Sequence, residues 1–178
     1  MSSECEWQPS NEIAPTLTAG HVSFEFQFSP DFALIPREWW AHHRIRTGWT
    51  ADFAWIRRNH HHLTCRCAAC RFLDMMNTDS VTDWVARIVG NPVKLGDMHC
   101  ALMEPGHCVN THDDRNKGDY AVVWYFNNCD GGELMLPNTC SFVQPKKNTA
   151  VLFTVPQPHY VKSSKTDRYS CTTWFSKV

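Results

Sequence analysis

Residues 98–176 carry the pattern that decides the fold: MHCALMEPGHCVNTHDDRNKGDYAVVWYFNNCDGGELMLPNTCSFVQPKKNTAVLFTVPQPHYVKSSKTDRYSCTTWFS. Short apolar runs alternate here with turn signals such as Pro105-Gly106 and Asp130-Gly131-Gly132. Many short strands at roughly regular spacing are typical of a β-sandwich or a barrel. The runs predict six strands, at residues 98–103, 120–127, 133–136, 150–154, 159–162 and 168–175.

The preceding part of the chain predicts supporting elements. Residues 22–28 alternate apolar and polar side chains, which indicates a half-buried strand. Residues 80–89 begin like a capping box and place apolar side chains at helical spacing, and Gly90-Asn91-Pro92 ends that helix. We therefore expect a mainly β protein with flanking α-helices. Residues 1–178 form one domain in this interpretation, with support at 1–95 and the β core at 96–178.

Composition and charge exclude several classes of protein. The 178 residues are 43% hydrophobic and 20% charged, which is a globular composition rather than a disordered one. The net charge of -1 gives no overall field that attracts nucleic acid or membrane. No apolar run reaches the length of about 18 residues that a spanning helix needs. The polar start, Met1 to Trp7, lacks the pattern of a secretory signal, so we expect a cytoplasmic protein.

The cysteine count is also consistent with a cytoplasmic protein. Nine cysteines cannot all pair within one chain, and without a secretory signal we expect the thiols to be mostly reduced. With ten histidines beside them, these residues make a metal protein plausible, because imidazole and thiolate are common ligands.

The sequence His112-Asp113-Asp114 is the first candidate metal site. If residue 112 ends a strand, His112 and Asp114 point to the same face and Asp113 points away. His159 opens a later strand, after the apolar run 150–153. Two imidazoles and one carboxylate inside a barrel would form a facial triad, which holds Fe(II) and leaves three coordination positions open. The alternative is a surface turn and an unrelated core histidine.

Arg168 is a candidate anion receptor. It follows His159 by nine residues, so a short hairpin would return it beside the metal on the neighbouring strand. Ser170 shares its face, and a guanidinium beside a hydroxyl binds a carboxylate well. Tyr125 could add a phenolic hydrogen bond to the same anion. The alternatives are an edge-strand charge for Arg168 and a plain core position for Tyr125.

Taken together, these motifs resemble the Fe(II)- and 2-oxoglutarate-dependent dioxygenases, specifically their prolyl-4-hydroxylase-like branch. The resemblance covers residues 98–176, a little under half of the chain. The matching motifs, in chain order, are Glu104-Pro105-Gly106, His112-x-Asp114, Val123-Trp124-Tyr125-Phe126-Asn127, Gly131-Gly132-Glu133-Leu134, Ala150-Val151-Leu152-Phe153, His159-Tyr160-Val161 and Arg168-Tyr169-Ser170, leading into Thr173-Trp174-Phe175.

The resemblance implies a double-stranded β-helix, which is a jelly-roll or cupin-like barrel. It also implies catalytic iron ligands, which are His112, Asp114 and His159. The distal carboxylate of 2-oxoglutarate would pair with Arg168. The helpers implied for this contact are Tyr125 and either Ser170 or Thr172.

The implied activity is hydroxylation of an unactivated C–H bond in an amino acid, free or within a peptide or protein. Succinate and CO₂ would be released. The implied cofactors are Fe(II), 2-oxoglutarate and O₂, with ascorbate as a further candidate. Residues 1–95 match no motif of the family, and substrate recognition would be built there. We expect no membrane partner and no nucleic acid.

Two other functions stay open on the residues. A cupin-type metalloprotein without 2-oxoglutarate would use His107 and His112 as ligands. The basic segment 57–71 holds His60-His61-His62 and the thiols Cys65, Cys67 and Cys70, so a zinc site and a nucleic-acid-binding module are the other possibility. We favour a basic loop entering a helix for this segment, with Cys67 and Cys70 facing the core as small apolar residues.

Overall fold

The computed structural model describes residues 7–11, 13–36, 40, 44–45, 48–52 and 65–178. These residues contain eleven β-strands and two α-helices. The strands are β1 (His21–Glu25), β2 (Arg44–Ile45), β3 (Gly48–Asp52), β4 (Val93–Met103), β5 (Val109–His112), β6 (Tyr120–Tyr125), β7 (Leu134–Leu136), β8 (Ser141–Val143), β9 (Thr149–Thr154), β10 (His159–Val161) and β11 (Arg168–Lys177). The helices are α1 (Ala68–Met76) and α2 (Asp79–Val89).

The strands form two antiparallel sheets. The larger sheet has the order β1-β9-β6-β11-β4-β3-β2, and the smaller one has the order β5-β10-β7-β8. Every pairing between these strands is antiparallel. This architecture confirms the predicted mainly β class with flanking helices. All six predicted strands are present, and β4 begins at Val93, earlier than expected.

Strand β6 explains why the fold has two cores. All six of its residues are buried, which is possible only if both faces of the sheet are covered. Val122 and Trp124 belong to the core under the helices, and Val123 and Tyr125 belong to the core between the sheets. The alternation of strand side chains thus divides one apolar run between two compartments.

The helices cover the outer face of the large sheet. Phe72 of α1 is fully buried and contacts the rings of Phe28, Trp124 and Phe126, with centroids 5.2–6.0 Å apart. Trp84 of α2 packs edge-on against Phe24 at 6.1 Å. Each helix therefore presents an apolar stripe to aromatic residues of the strands.

The N-cap of helix α2 lies two residues before the predicted capping position at residue 80. The N-cap is Thr78, and its hydroxyl donates to the carbonyl of Met75 instead of capping the helix. The end of α2 is as predicted. Gly90 is left-handed, with φ 71°, and its backbone N–H donates to the carbonyl of Ala86.

The N-terminal region supplies strands to both ends of the large sheet. Strand β1 pairs with β9, and it ends at Glu25, before the predicted limit of residue 28. At the other end, β3 pairs with β4 and β2 pairs with β3. Parts of the predicted support region and the predicted core therefore share one sheet. None of the helices in the described ranges is long and apolar enough to cross a membrane.

One cysteine pair departs from the expected reduced state. Cys100 of β4 lies directly opposite Cys171 of β11, and the two residues form a disulfide. Their Cα atoms are 4.0 Å apart, because neighbouring antiparallel strands bring facing residues close together. The pairing register that creates this contact is not visible in cysteine spacing, which separates the two by 71 residues.

Replacement of Phe72 by alanine tests the contact between helix and sheet. Phe72→Ala leaves a cavity among buried rings, and we expect the free energy of unfolding to fall by about 3–5 kcal/mol. The matched control is Phe142→Ala, because that ring is 64% exposed, and it should change stability by about 0.5 kcal/mol or less. Chemical denaturation followed by circular dichroism measures both, and equal effects would contradict the packing described here.

Candidate active site

The pairing of two short strands brings two histidines together. His112 ends β5, and His159 begins β10 directly opposite it in the small sheet. Their ring centroids are 4.2 Å apart. His159 is buried, whereas the side chain of His112 is 41% exposed. The pair therefore lies where the space between the sheets meets solvent.

Asp114 completes this cluster from a turn rather than from a strand. Its Oδ1 lies 3.5 Å from Nε2 of His112, and its Oδ2 lies 3.4 Å from Nε2 of His159. The two side chains do lie close together, but not because they share a strand face, as the sequence had suggested. Strand β5 ends at His112, and Asp114 lies beyond it with a φ of 55°. Aspartate tolerates this left-handed conformation better than most residues. Asp113 pairs with Arg115 instead.

Backbone carbonyls orient both imidazoles. Nδ1 of His112 lies 2.8 Å from the carbonyl oxygen of Asn110, and Nδ1 of His159 lies 2.7 Å from that of Gln157. A neutral imidazole that donates from Nδ1 presents the lone pair of Nε2. Nε2 of each ring therefore faces Asp114 and is the atom that could coordinate a metal, which is the arrangement that metal-binding histidines adopt.

The carboxylate of Asp114 is held ionised by its neighbours. Burial opposes ionisation, but the approach of His159 and His112 and the Trp174 indole keep its pKa below the ordinary value. The indole Nε1 of Trp174 donates to Oδ2 of Asp114 at 3.1 Å. Each of the three residues offers one ligand atom, and these atoms lie within 4.8 Å of one another. Two imidazoles and a carboxylate form the facial triad that binds non-haem Fe(II).

Arg168 is a buried cation without an anion. It is 5% exposed, and its Nε donates to the carbonyl of Gly132 at 3.1 Å. Its Nη1 donates to Oγ of Ser170 at 2.9 Å. None of the described residues offers it a carboxylate. Since an uncompensated buried charge is costly, this arrangement suits an anionic ligand.

Tyr125 supplies an unused donor beside this cation. The guanidinium carbon of Arg168 lies 5.2 Å from the centre of the Tyr125 ring. The hydroxyl of Tyr125 is buried and has no hydrogen-bond partner among the described residues. Burial raises the pKa of Tyr125, so the hydroxyl keeps its proton and can donate it to an anion.

A glycine makes room for the Arg168 side chain. A Cβ at Gly132 would lie 3.0 Å from Cδ of Arg168, and its φ of 71° disfavours other residues. The sequence predicted a turn here, and both Gly131 and Gly132 have positive φ.

One cavity of about 300 Å³ between the sheets connects these groups. Thr172 also lines it, because residues 168, 170, 172 and 174 alternate along β11 and face the same side. Six of the seven candidate residues named from the sequence line this cavity: His112, Asp114, His159, Arg168, Ser170 and Thr172. Tyr125 is buried next to Arg168.

The hairpin predicted between His159 and Arg168 is wrong. Strand β10 belongs to the small sheet, whereas β11 lies between β4 and β6 in the large one. The two side chains therefore approach the cavity from opposite sheets. The nine-residue spacing reflects a crossing between sheets, which a sequence pattern does not distinguish from a hairpin.

The second candidate cluster is only partly described. Cys65, Cys67 and Cys70 lie close together at the start of α1, whereas His60-His61-His62 and most of the basic segment lie outside the described residues. His107, the ligand required by the cupin alternative, is not part of either potential metal cluster found in the described ranges.

Comparison with known proteins assigns the C-terminal part of the chain. Residues 98–176 match the family model of the 2OG-Fe(II) oxygenase superfamily. This match agrees with the resemblance that the sequence motifs predicted. No curated protein is similar enough in sequence to be matched to this chain.

Solved oxygenase structures share the fold over most of the chain. A prolyl-4-hydroxylase from Pseudomonas putida aligns with a TM-score of 0.59 at 19% identity, covering 90% of this chain and 94% of that one. Prolyl 4-hydroxylases from Phytophthora capsici give a TM-score of 0.65 at 18% identity and 90% coverage of this chain. An oxidoreductase of the 2OG-Fe(II) oxygenase family from Burkholderia pseudomallei gives 0.55 at 16% identity and 61% coverage. The predicted double-stranded β-helix is confirmed by this likeness.

The share of each of these proteins that this chain covers differs. The chain spans 58% of the Burkholderia pseudomallei protein and 59% of the Phytophthora capsici protein. It spans nearly the whole length of the Pseudomonas putida enzyme.

Sequence reasoning missed two residues beside the cluster of His112, Asp114 and His159. The indole of Trp174 donates a hydrogen bond to Asp114. Trp174 lies six residues after Arg168 on the same face of the strand, and this spacing could have identified it from the sequence. His99 lines the same cavity and contacts the Trp174 ring at 5.0 Å. Burial lowers the pKa of His99 to about 4, so its ring is neutral at pH 7.

Replacement of Trp174 by phenylalanine tests the role of its hydrogen bond to Asp114. Trp174→Phe removes the donor and keeps a large ring, and we expect the Fe(II) affinity to fall about 10-fold, as for other groups that orient metal ligands. An anaerobic Fe(II) titration in the presence of 2-oxoglutarate measures this affinity. The control is Trp124→Phe, which removes an indole donor bonded to Thr173 away from the cavity. Unchanged affinity in Trp174→Phe would remove this role.

Proposed function

We propose that this chain hydroxylates a prolyl residue within a peptide or protein, with Fe(II), 2-oxoglutarate and O₂. In this proposal residues 1–178 work as one dioxygenase domain. The observation that carries the co-substrate assignment is the buried guanidinium of Arg168, which has no carboxylate partner in the described part of the chain. A dicarboxylate in the cavity supplies that partner.

His112, Asp114 and His159 would hold the iron. Their donor set of two imidazoles and a carboxylate fits Fe(II), and the carbonyls of Asn110 and Gln157 keep the imidazole lone pairs directed at the ion. The bound iron, with 2-oxoglutarate and O₂, would supply the oxidising power, and succinate and CO₂ would be the products. Trp174 restrains the carboxylate, so the ligand geometry exists before the ion arrives.

The distal carboxylate of 2-oxoglutarate would bind at the inner end of the cavity. Arg168 provides the charge, and its hydrogen bonds to Gly132 and Ser170 hold the guanidinium in position. The partnerless hydroxyl of Tyr125 would donate a further hydrogen bond. Thr172, on the same face of β11, adds a further hydroxyl to the cavity lining. Apolar walls, which include Val123 and Leu134, exclude water around the reacting groups.

The cavity favours a peptide over a free amino acid. A free amino acid brings its own carboxylate, which needs a second cation. Among the described lining residues, Arg168 is the only lysine or arginine, and 2-oxoglutarate would occupy it. The similar enzymes from Pseudomonas putida and Phytophthora capsici are prolyl 4-hydroxylases, which supports proline as the target residue.

The co-substrate site is tested by Arg168→Ala. We expect the 2-oxoglutarate concentration needed for half-saturation to rise about 30- to 100-fold, because a charge-assisted contact of about 2–3 kcal/mol is lost. The Fe(II) requirement should change far less. The readout is the visible metal-to-ligand charge-transfer band in an anaerobic titration with Fe(II) and 2-oxoglutarate.

Four further variants make this titration selective. Arg87→Ala is the matched control, because Arg87 is an exposed residue of α2. His112→Ala should abolish the band in folded protein, as should Asp114→Ala and His159→Ala. If folded, iron-loaded wild-type protein gives no band with 2-oxoglutarate, a cupin-type metalloprotein becomes the better description.

The substrate class is tested by turnover. The wild-type enzyme is supplied with Fe(II), 2-oxoglutarate and ascorbate, which keeps the iron reduced, and succinate release is compared between proline-containing peptides and free L-proline. We expect succinate release to be stimulated by a peptide, together with a mass increase of one oxygen atom on that peptide. The same peptide with alanine in place of proline is the control. Stimulation by free proline but by none of the peptides would contradict the peptide assignment.

A further inference from the structure

We propose that Cys65, Cys67 and Cys70 bind a structural Zn(II) ion that is separate from the iron of the active site. Their sulfur atoms all lie within 4.8 Å of one another, and none of the three residues is in a disulfide. In a tetrahedral zinc site with Zn–S bonds of about 2.3 Å, the sulfur atoms lie about 3.8 Å apart. Small side-chain rotations therefore bring the three sulfurs to this spacing.

The start of α1 explains why these cysteines converge. Cys67 is the N-cap residue, with extended φ and ψ of -66° and 161°, and Cys70 lies in the first turn of the helix. Side chains at the N-cap and at the third helical position meet on one side of a helix start, as they do in a capping box. Cys65 lies two residues before the N-cap residue Cys67. The backbone at Cys67 is extended, and the Cys65 sulfur lies close to those of Cys67 and Cys70.

The electrostatic surroundings suit bound thiolates. The N–H groups at a helix N-terminus carry partial positive charge, and the first turn of α1 contains no acidic residue. The Cys67 side chain makes no capping hydrogen bond, so it can serve as a ligand without loss of a cap. Arg66 and Arg71 flank the cluster in sequence and offset the negative charge that three thiolates leave around a divalent ion.

The two clusters differ in the metal that they favour. Thiolates favour Zn(II), whereas the imidazole and carboxylate donors of the active site favour non-haem Fe(II). The clusters share no residue. Cys70 is fully buried in the core that contains Phe72, so a metal bound there would fasten the start of α1 to the segment before it.

The sequence offers a fourth ligand. His60, His61 and His62 precede Cys65 by three to five residues. Three cysteines and one histidine form one of the common donor sets of structural zinc sites.

Cobalt substitution in the full-length wild-type protein provides the first test. The reduced, metal-free protein is titrated with Co(II), and we expect a thiolate-to-metal charge-transfer band in the near ultraviolet and the strong d–d bands of a tetrahedral site. Zn(II) should displace the cobalt and bleach both sets of bands. Cobalt at the imidazole and carboxylate cluster gives no thiolate band, so the two sites are distinguished by their spectra.

Variants then locate the site. Cys67→Ser should abolish the thiolate band, whereas Cys140→Ser should retain it, because Cys140 is an exposed thiol outside the cluster. His112→Ala should also retain it, which separates this site from the active centre.

The proposal is overturned if folded, reduced wild-type protein shows no thiolate band with Co(II), an outcome that does not depend on any variant. It is also overturned if Cys67→Ser, shown to be folded by circular dichroism, keeps the band of the wild type. Metal analysis of protein purified without chelators should find one zinc per chain in the wild type and in Cys140→Ser. Loss of this zinc should leave the charge-transfer band of Fe(II) and 2-oxoglutarate intact.

Discussion

The two-sided burial of β11 is the constraint on which the rest of the structure depends. This strand lies between β4 and β6, and its residues alternate between two buried environments. Tyr169, Cys171 and Phe175 pack under the helices, whereas residues 168, 170, 172 and 174 line the cavity. One strand therefore closes the aromatic core and holds the polar groups of the site. A shift of one residue would exchange the two sets.

The small sheet imposes the complementary constraint. The register of β5 against β10 places His112 opposite His159, and the turn after β5 brings Asp114 to both rings. Trp174 then joins the sheets, because its indole on β11 bonds to a carboxylate supplied by the turn after β5. The metal ligands and the anion receptor thus stand on opposite walls of one cavity. Neither sheet could form the site alone.

Buried polar groups are arranged for ligands rather than for stability. Within the described part of the chain, Arg168 carries its charge into the interior without a carboxylate, and the buried Tyr125 hydroxyl has no hydrogen-bond partner. Such groups destabilise the ligand-free fold, since their interactions with water are lost and not replaced. The aromatic contacts around Phe72 and Trp124 provide the compensating stability. Binding of a dicarboxylate would satisfy both polar groups at once.

Sequence patterns alone predicted the mainly β class, six of the eleven strands, helix α2 and a set of candidate site residues, because these follow from local periodicity, turn residues and ordered motifs. They did not determine which strands are neighbours. The hairpin expected between His159 and Arg168, the disulfide of Cys100 and Cys171 and the role of Trp174 all depend on pairing between distant segments. Only the tertiary structure decides such contacts, since strand order and register arise from the packing of whole sheets.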